Sequence, residues 1–511
     1  MRSTRGPGQA GQLGTAGPPR EQEGVTHLQR AWAALPGMLR EHALFRRLLI
    51  AAAAVRLIVA VGYPPALWYF DSLPYLHAVF PLSPDPVRPT GYSDFLAVLE
   101  PFHSVWLVTA VQAVMGLAMG AAVYAVLRWH KLGARAATLA AVPVLFSAYE
   151  LQLEHFVLSD TLFGFLVTTA VVMMLWQPMP SVAVCTLTGL ALALAILVRE
   201  QGVLLPVPFC LYLCARLAGQ VPLRAVLKGI VAMCLTLAVP VACYAWWFEQ
   251  SSGSYQLTSS TGLFLYSRVS TFARCSVIKP PTDERWLCIT TPPGKRPDPT
   301  VYAWGRKSPI NVKPPGGSPF DSRANSLATN FALRAIQAQP KAYLRAVWHS
   351  TIENFEPQFR NSPAWYSERR YMFPASAPQR LRALARANRE LPDYAAGYTY
   401  NGRHDPSTRL VQPFAALIGL YQRLVILPGP LLALIALAGL TGIVMAWRRL
   451  GGPALLPWLT GVVLIVTPAA TTDYGARYLV ASIPAFSIAA ALGIKQFNDW
   501  ATEPARSAAA R

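Results

Sequence analysis

Runs of about 20 mostly apolar residues recur along nearly the whole chain, and each is long enough to cross the hydrocarbon core of a bilayer. Inside lipid a backbone must satisfy its own N–H and C=O groups, so such runs fold as helices. Composition agrees. Of 511 residues 53% are hydrophobic and only 14% are charged, where a soluble protein carries roughly 25% charged residues. The expected fold class is an all-α polytopic membrane protein with about ten transmembrane helices and an α-rich extracytoplasmic domain.

The formal charge of +20 would suggest nucleic acid in a soluble protein. Here Lys and Arg gather in short loops between spans, where they set orientation, and no basic helix or aromatic-interleaved motif accompanies them. Nucleic acid is excluded as a partner; the lipid bilayer is the expected one. Arg128, Lys131 and Arg135, and then Arg216, Arg224 and Lys228, mark the cytoplasmic side. The acidic stretch Glu150–Asp160, the turn at Arg199 and the turn Thr472–Tyr478 fall outside.

Five segments follow. Residues 1–45 read as a flexible cytoplasmic tail with no cleavable signal peptide. Residues 46–248 hold seven spans, near 48–67, 104–127, 136–149, 161–177, 181–198, 203–218 and 229–248. Residues 249–410 carry no spanning run and form the extracytoplasmic domain, with helical periodicity near 322–338, 340–356 and 377–389. Residues 411–496 comprise an interfacial helix, drawn from an apolar stretch at 408–427, and spans near 429–446, 453–469 and 478–495. Residues 497–511 are a cytoplasmic tail. Of seven cysteines, Cys185, Cys210, Cys214, Cys234 and Cys243 lie in apolar runs and read as small core residues. Cys275 and Cys288 alone lie in the polar segment, and a disulfide between them is expected if that segment is extracytoplasmic.

The candidate chemistry gathers on the outer face. Asp71 follows the first apolar run in Tyr69-Phe70-Asp71-Ser72-Leu73-Pro74-Tyr75. A carboxylate there sits at the water–lipid boundary, where a lipid-linked reactant presents its head group; the competing readings are a helix cap and a solvated loop acid. Arg56, inside the first run, either faces a polar cavity or carrier phosphate, or snorkels to the cytoplasmic interface. Glu154, His155 and Asp160 share one outer turn and can hold a divalent cation; the competing reading is ordinary polar-loop residues.

Several stretches, taken in order, resemble the type C membrane glycosyltransferases, in particular the bacterial relatives of protein O-mannosyltransferases and lipid A aminoarabinose transferases. The carriers of the resemblance are Asp71 with Tyr75 after the first span, Arg88-Pro89-Thr90-Gly91-Tyr92, Leu158-Ser159-Asp160 opening the fourth span, and Val198-Arg199-Glu200-Gln201-Gly202 closing the fifth. The exterior Ala335–Tyr343 and the turn Tyr474-Gly475-Ala476-Arg477-Tyr478 before the last span complete them. The likeness covers most of residues 46–495. The chain departs from the pattern in offering one carboxylate in the first loop, Asp rather than Glu at 160, and Glu200 where the family has Pro.

The resemblance implies a polyprenyl-phosphate sugar donor, a glycan, glycolipid or protein acceptor, and inverting transfer on the outer face of a bacterial cytoplasmic membrane. It implies Asp71 as base for the acceptor hydroxyl and Arg199 and Arg477 as ligands of the departing phosphate. Tyr75, Arg88, Tyr92, Glu154, His155, Asp160 and Tyr474 would contact sugar or acceptor, or support the residues that do. Arg88 and Tyr92 are expected to shape the loop. No cofactor is required, and the metal alternative at Glu154, His155 and Asp160 stays open. Three other readings remain: a flippase for lipid-linked sugars, a polymer ligase using a diphosphate carrier with His349 or His404 as its catalytic histidine, and a non-enzymatic membrane anchor for the exterior domain.

Overall fold

The computed structural model describes residues 41–219, 221–357, 371–374, 391–399, 406–447, 450–473 and 475–509. The expected helix near 377–389, His404 and Tyr474 lie outside them. The helices that frame the molecule are α1 (Ala43–Gly62), α2 (Ser72–His77), α3 (Gly91–Leu99), α4 (Val105–Trp129), α5 (Ala134–Phe146), α6 (Ala148–His155), α7 (Asp160–Leu175), α8 (Val182–Val198), α9 (Pro206–Ala215), α10 (Leu223–Ser252), α11 (Thr261–Val269), α12 (Ser322–Ala338), α13 (Pro340–Glu353), α14 (Phe414–Leu424), α15 (Gly429–Met445), α16 (Leu455–Thr471), α17 (Ala476–Val480) and α18 (Ile483–Ala509). Among the described residues there is no sheet, only an isolated parallel bridge between Leu67 and Phe156.

By length and composition, four described helices can cross a membrane, and up to six if each of two bent pairs counts as one span. Two shorter apolar helices, α7 and α8, stand beside them. The described helices do not confirm the expected count of ten spans, and the reasons are local. The first helix carries Arg46, Arg47 and Arg56 within its 20 residues. The last turns polar at Lys495. The expected span near 136–149 is broken into α5 and α6, which meet at 48°.

Pro143 lies in the final turn of α5, where it cannot donate a backbone hydrogen bond. Ser147 is extended and separates the two helices. The groups freed at the break find partners on α14 and at its C-cap: Tyr421 donates to the Phe146 carbonyl at 2.5 Å and the Ala148 N–H to the Val425 carbonyl at 3.0 Å. Within α14, the only regular helix of the apolar stretch 408–427, Ala415 lies against Gly62 of α1, and Tyr63 donates to the Ala415 carbonyl at 3.1 Å. It meets α15 at 56°.

Buried apolar side chains form two clusters. One runs from Phe45 to Leu492 through the long helices. The other is confined to residues 263–335 and centres on α11 and α12. Helix α12 begins where Asp321 accepts the N–H groups of Arg323 and Ala324, a side-chain N-cap. Its Ala324, Ala328, Phe331, Ala332 and Ala335 recur at helical spacing and are buried. Pro340 opens α13 at a first-turn position that needs no N–H. Cys275 and Cys288 are joined by a disulfide at the edge of this second cluster.

Arg56 resolves neither of its two expected ways. It is buried and donates to Glu154 Oε1 at 2.5 Å, to the Leu145 carbonyl at 2.9 Å and to the Ala52 carbonyl at 3.3 Å. Gly116 of α4 makes room for this pair, because a Cβ there would stand 1.7 Å from Glu154 Oε1 and 2.9 Å from Arg56 Nη2. Replacing Gly116 with Ala should therefore cost about 1–3 kcal/mol through forced displacement of the pair. Thermal unfolding in detergent checks this, with Gly133→Ala as the comparison: nothing lies within 4 Å of that Cβ position, and its melting temperature should not fall.

Candidate active site

The segment that carries Asp71 is pinned on both sides. Pro64 and Pro65 follow the end of α1 and cannot continue a helix. The Leu67 N–H then donates to the His155 carbonyl at 2.8 Å, and the Val157 N–H to the Leu67 carbonyl at 3.2 Å. Ser72 Oγ donates to the Val157 carbonyl at 2.9 Å while accepting the Tyr69 N–H at 3.1 Å. Asp71 precedes α2 but its side chain does not cap it. Both carboxylate oxygens go to arginines instead: Oδ1 to Arg88 at 2.6 Å and Oδ2 to Arg477 at 2.7 Å.

Each arginine is delivered by local structure. Asp85 Oδ1 accepts the N–H groups of Val87 and Arg88, at 2.8 and 2.9 Å, and folds the turn that aims Arg88. Gly91, at the start of α3, lets that turn approach α8, since a Cβ there would meet the Leu197 carbonyl group at 2.6 Å. Arg477 lies in the first turn of α17. Its guanidinium stands over the rings of Tyr371, at 5.5 Å, and Tyr478, at 5.1 Å. Arg199 leaves the end of α8, pairs with Asp160 Oδ1, and also stands over Tyr478, at 5.3 Å. The Tyr478 ring thus joins the two arginines.

Burial pushes the Asp71 carboxyl up, but the Arg88 and Arg477 guanidiniums outweigh it and hold the group at about 2. Asp71 is ionised throughout the physiological range. Arg88, expected to shape its loop, touches Asp71 directly. Tyr75 lies under Arg88, 5.7 Å from ring centroid to guanidinium, and shares a hydrogen bond with Ser159 at 2.8 Å. Tyr92 points away. Its hydroxyl donates to Gln112 Oε1 at 2.7 Å, and Gln112 in turn donates to the carbonyls of Glu154 and Phe156.

Glu154, His155 and Asp160 do not form one polar turn. Glu154 and His155 lie in helix α6 and all three are buried. Glu154 answers Arg56, His155 Nε2 meets the Tyr63 carbonyl at 2.7 Å, and Asp160 meets Arg199. Their donor atoms are aimed at three separate partners, so they do not fit a shared divalent cation. The free oxygen of Asp160, Oδ2, is buried without a partner, and Asp160 borders a small cavity with Met119, Glu150, Thr161 and Val480. Glu200 accepts from Thr258 at 2.7 Å and leaves Arg199 to Asp160. His349 is exposed on α13 beside Glu353.

Sequence reading missed Tyr371, Tyr478, Ser159 and Gln112. Tyr478 and Ser159 stand next to Arg477 and Asp160 and were quoted only as neighbours. For Tyr371 and Gln112 no local signal existed. A charge pair sealed this deeply has a clear signature on mutation. Glu154→Leu alone strands the Arg56 guanidinium and should cost about 3–5 kcal/mol, and Arg56→Met with Glu154→Leu should recover most of that loss. Chemical or thermal denaturation of the two variants checks the order.

Residues 92–256 match the family model described as dolichyl-phosphate-mannose-protein mannosyltransferase. No curated protein matches the chain. Among solved structures, the Archaeoglobus fulgidus oligosaccharyltransferase in the apo form is similar, at 14% identity and a TM-score of 0.41, over 91% of this chain and 52% of that one. The Archaeoglobus fulgidus oligosaccharyltransferase AglB, in complex with an inhibitory peptide and a dolichol-phosphate, matches at 13% identity and 0.42, over 92% and 52%. ArnT from Cupriavidus metallidurans, in the apo state, matches at 14% and 0.34, over 89% and 77%. The chain spans about half the length of the archaeal proteins. The stretch that holds Tyr92, Glu154, Asp160 and Arg199 thus carries the match to a type C glycosyltransferase family, the dolichyl-phosphate-mannose-protein mannosyltransferases.

Proposed function

We propose that this chain is an inverting glycosyltransferase that moves a sugar from a polyprenyl-phosphate carrier to an acceptor hydroxyl at the outer face of a bacterial cytoplasmic membrane. One observation carries the reading. The two oxygens of Asp71 are each held by a guanidinium, one 17 and the other 406 residues away in sequence. The family match over residues 92–256 supports the same chemistry.

The donor's phosphate takes Arg88 and Arg477, whose fixed positive charge at a water-poor site stabilises an anion strongly. Arg199, beside Tyr478, lies within the same cluster. Once the guanidiniums turn to the phosphate, Asp71 loses the charges that hold its pKa at about 2. It then rises toward the ordinary carboxylate value and becomes a better proton acceptor. The acceptor oxygen attacks the anomeric carbon from the face opposite the phosphate, and its proton passes to Asp71. The bond between that carbon and the phosphate oxygen breaks, its electron pair stays with the phosphate, and configuration inverts. Positioning of the two substrates supplies the remainder.

Purified protein given carrier-linked sugar and acceptor should release free polyprenyl monophosphate. Transbilayer movement of the lipid without release would identify a flippase, and release of a diphosphate a ligase. Asp71→Asn should lower transfer by on the order of 10²–10⁴-fold while the protein still folds; unchanged turnover removes Asp71 from the reaction. A pH profile provides a second check. The acid limb of kcat reports the donor-bound enzyme and that of kcat/KM for donor the free enzyme. The limb in kcat should therefore lie at higher pH, because donor binding draws the arginines off Asp71.

A further inference from the structure

Helix α13 is placed unusually for part of a soluble segment. Tyr343, near its start, donates to the Ala470 carbonyl at 3.1 Å, in the last turn of α16. Arg268 ties the same place together, donating to Ser350 Oγ of α13 at 2.9 Å and to the Ala469 carbonyl at 3.3 Å. Just past the other end of α13, the backbone of Phe355 and Glu356 lies 2.4–2.8 Å from where a Cβ on Gly429 would stand. Gly429 is the first residue of α15. Helix α13 and its exit therefore run from the end of one apolar helix to the beginning of another. Twelve residues separate Tyr343 from Phe355, about 18 Å along a helix. The end of α16 and the start of α15 thus lie at the same end of these two helices, and α13 runs between them.

Its side chains are sorted to match. Ser350 and Asn354 are buried, and they share the inward face with Tyr343 and Val347. Leu344, Trp348 and Ile352 are spaced four apart on one face, and they are 64%, 66% and 40% exposed. Lys341, Arg345 and His349 are exposed alongside them. Leu, Trp and Ile interleaved with Lys and Arg is the composition of a helix that rests in a headgroup layer, with rings and branched chains at the acyl boundary and cations at phosphate level.

We infer that α13 is a surface-lying membrane helix that seats Leu344, Trp348 and Ile352 in an anionic bilayer leaflet, with Lys341 and Arg345 contacting lipid phosphates. The occupant is lipid because α13 runs between the ends of two apolar helices, α16 and α15, and carries the charge that anionic headgroups complement. This holds the second cluster of the protein, residues 263–335, down against the membrane close to the turn that carries Arg477.

The test uses the full chain with its five free cysteines replaced and the disulfide kept, reconstituted into phosphatidylglycerol-containing bilayers. A spin label is placed at Trp348→Cys, at Leu434→Cys on α15 as the lipid-facing reference, and at Lys307→Cys as the aqueous one. The label at 348 should favour the lipid-soluble relaxant oxygen over a water-soluble nickel chelate several-fold more than the label at 307, approaching the ratio at 434. A ratio like that at 307 overturns the inference. So does shielding from both reagents, which would mean that protein covers the face. In bilayers of phosphatidylcholine alone, or with Lys341→Glu and Arg345→Glu, the label should move toward water. An unchanged ratio there overturns the anionic contact.

Discussion

A carboxylate held between two guanidiniums away from water is the interaction on which the site depends. Burying an ion is expensive, and the cost is recovered only when partners are close and well aimed. Asp71 meets that requirement with Arg88 and Arg477. Arg199 and Asp160 meet it with each other. Counted together, the five side chains leave one positive charge in excess. The Arg477 guanidinium lies over the rings of Tyr371 and Tyr478, and that of Arg199 over Tyr478, which holds the cations in place.

The surrounding chain serves to bring these groups together from distant positions. Two prolines end α1 early enough for Leu67 to bind the strand-like segment after α6, which fixes where Asp71 emerges. Asp85 shapes the turn of Arg88, and the missing side chain of Gly91 lets that turn lie on the end of α8, from which Arg199 leaves. Arg477 arrives from the short helix after α16. The Arg56–Glu154 pair performs a separate service deeper in the bundle, joining α1, α5 and α6 where lipid offers no alternative partner.

What was legible in the sequence was whatever a local pattern encodes. Apolar runs announced helices, Pro340 and Asp321 announced helix starts, and an acid just past the first run announced Asp71. Contacts across long separations were hidden. Nothing near Arg56 names Glu154 as its partner, 98 residues on, and so a lone buried arginine read as either a ligand for phosphate or a snorkelling side chain. Residues 150–155 looked like a polar outer turn because they hold acids and no Lys or Arg. They are instead a buried helix, displaced from α5 at Ser147 after Pro143. The role of Arg88 is hidden for a similar reason: beside Pro89 and Gly91 it reads as loop punctuation, and only folding shows where its guanidinium points.

The arrangement also bears on how the proposed reaction would be ordered. Each Asp71 oxygen accepts from a guanidinium, and a carboxyl held at about 2 is a weak base. Asp71 therefore acts as an internal anion that satisfies the Arg88 and Arg477 guanidiniums. On the proposed reading, a phosphate that took the arginines would do two things at once: fill its own site and release the group that accepts the proton. The same two ion pairs would then keep Asp71 from activating an acceptor, water included, ahead of the phosphate.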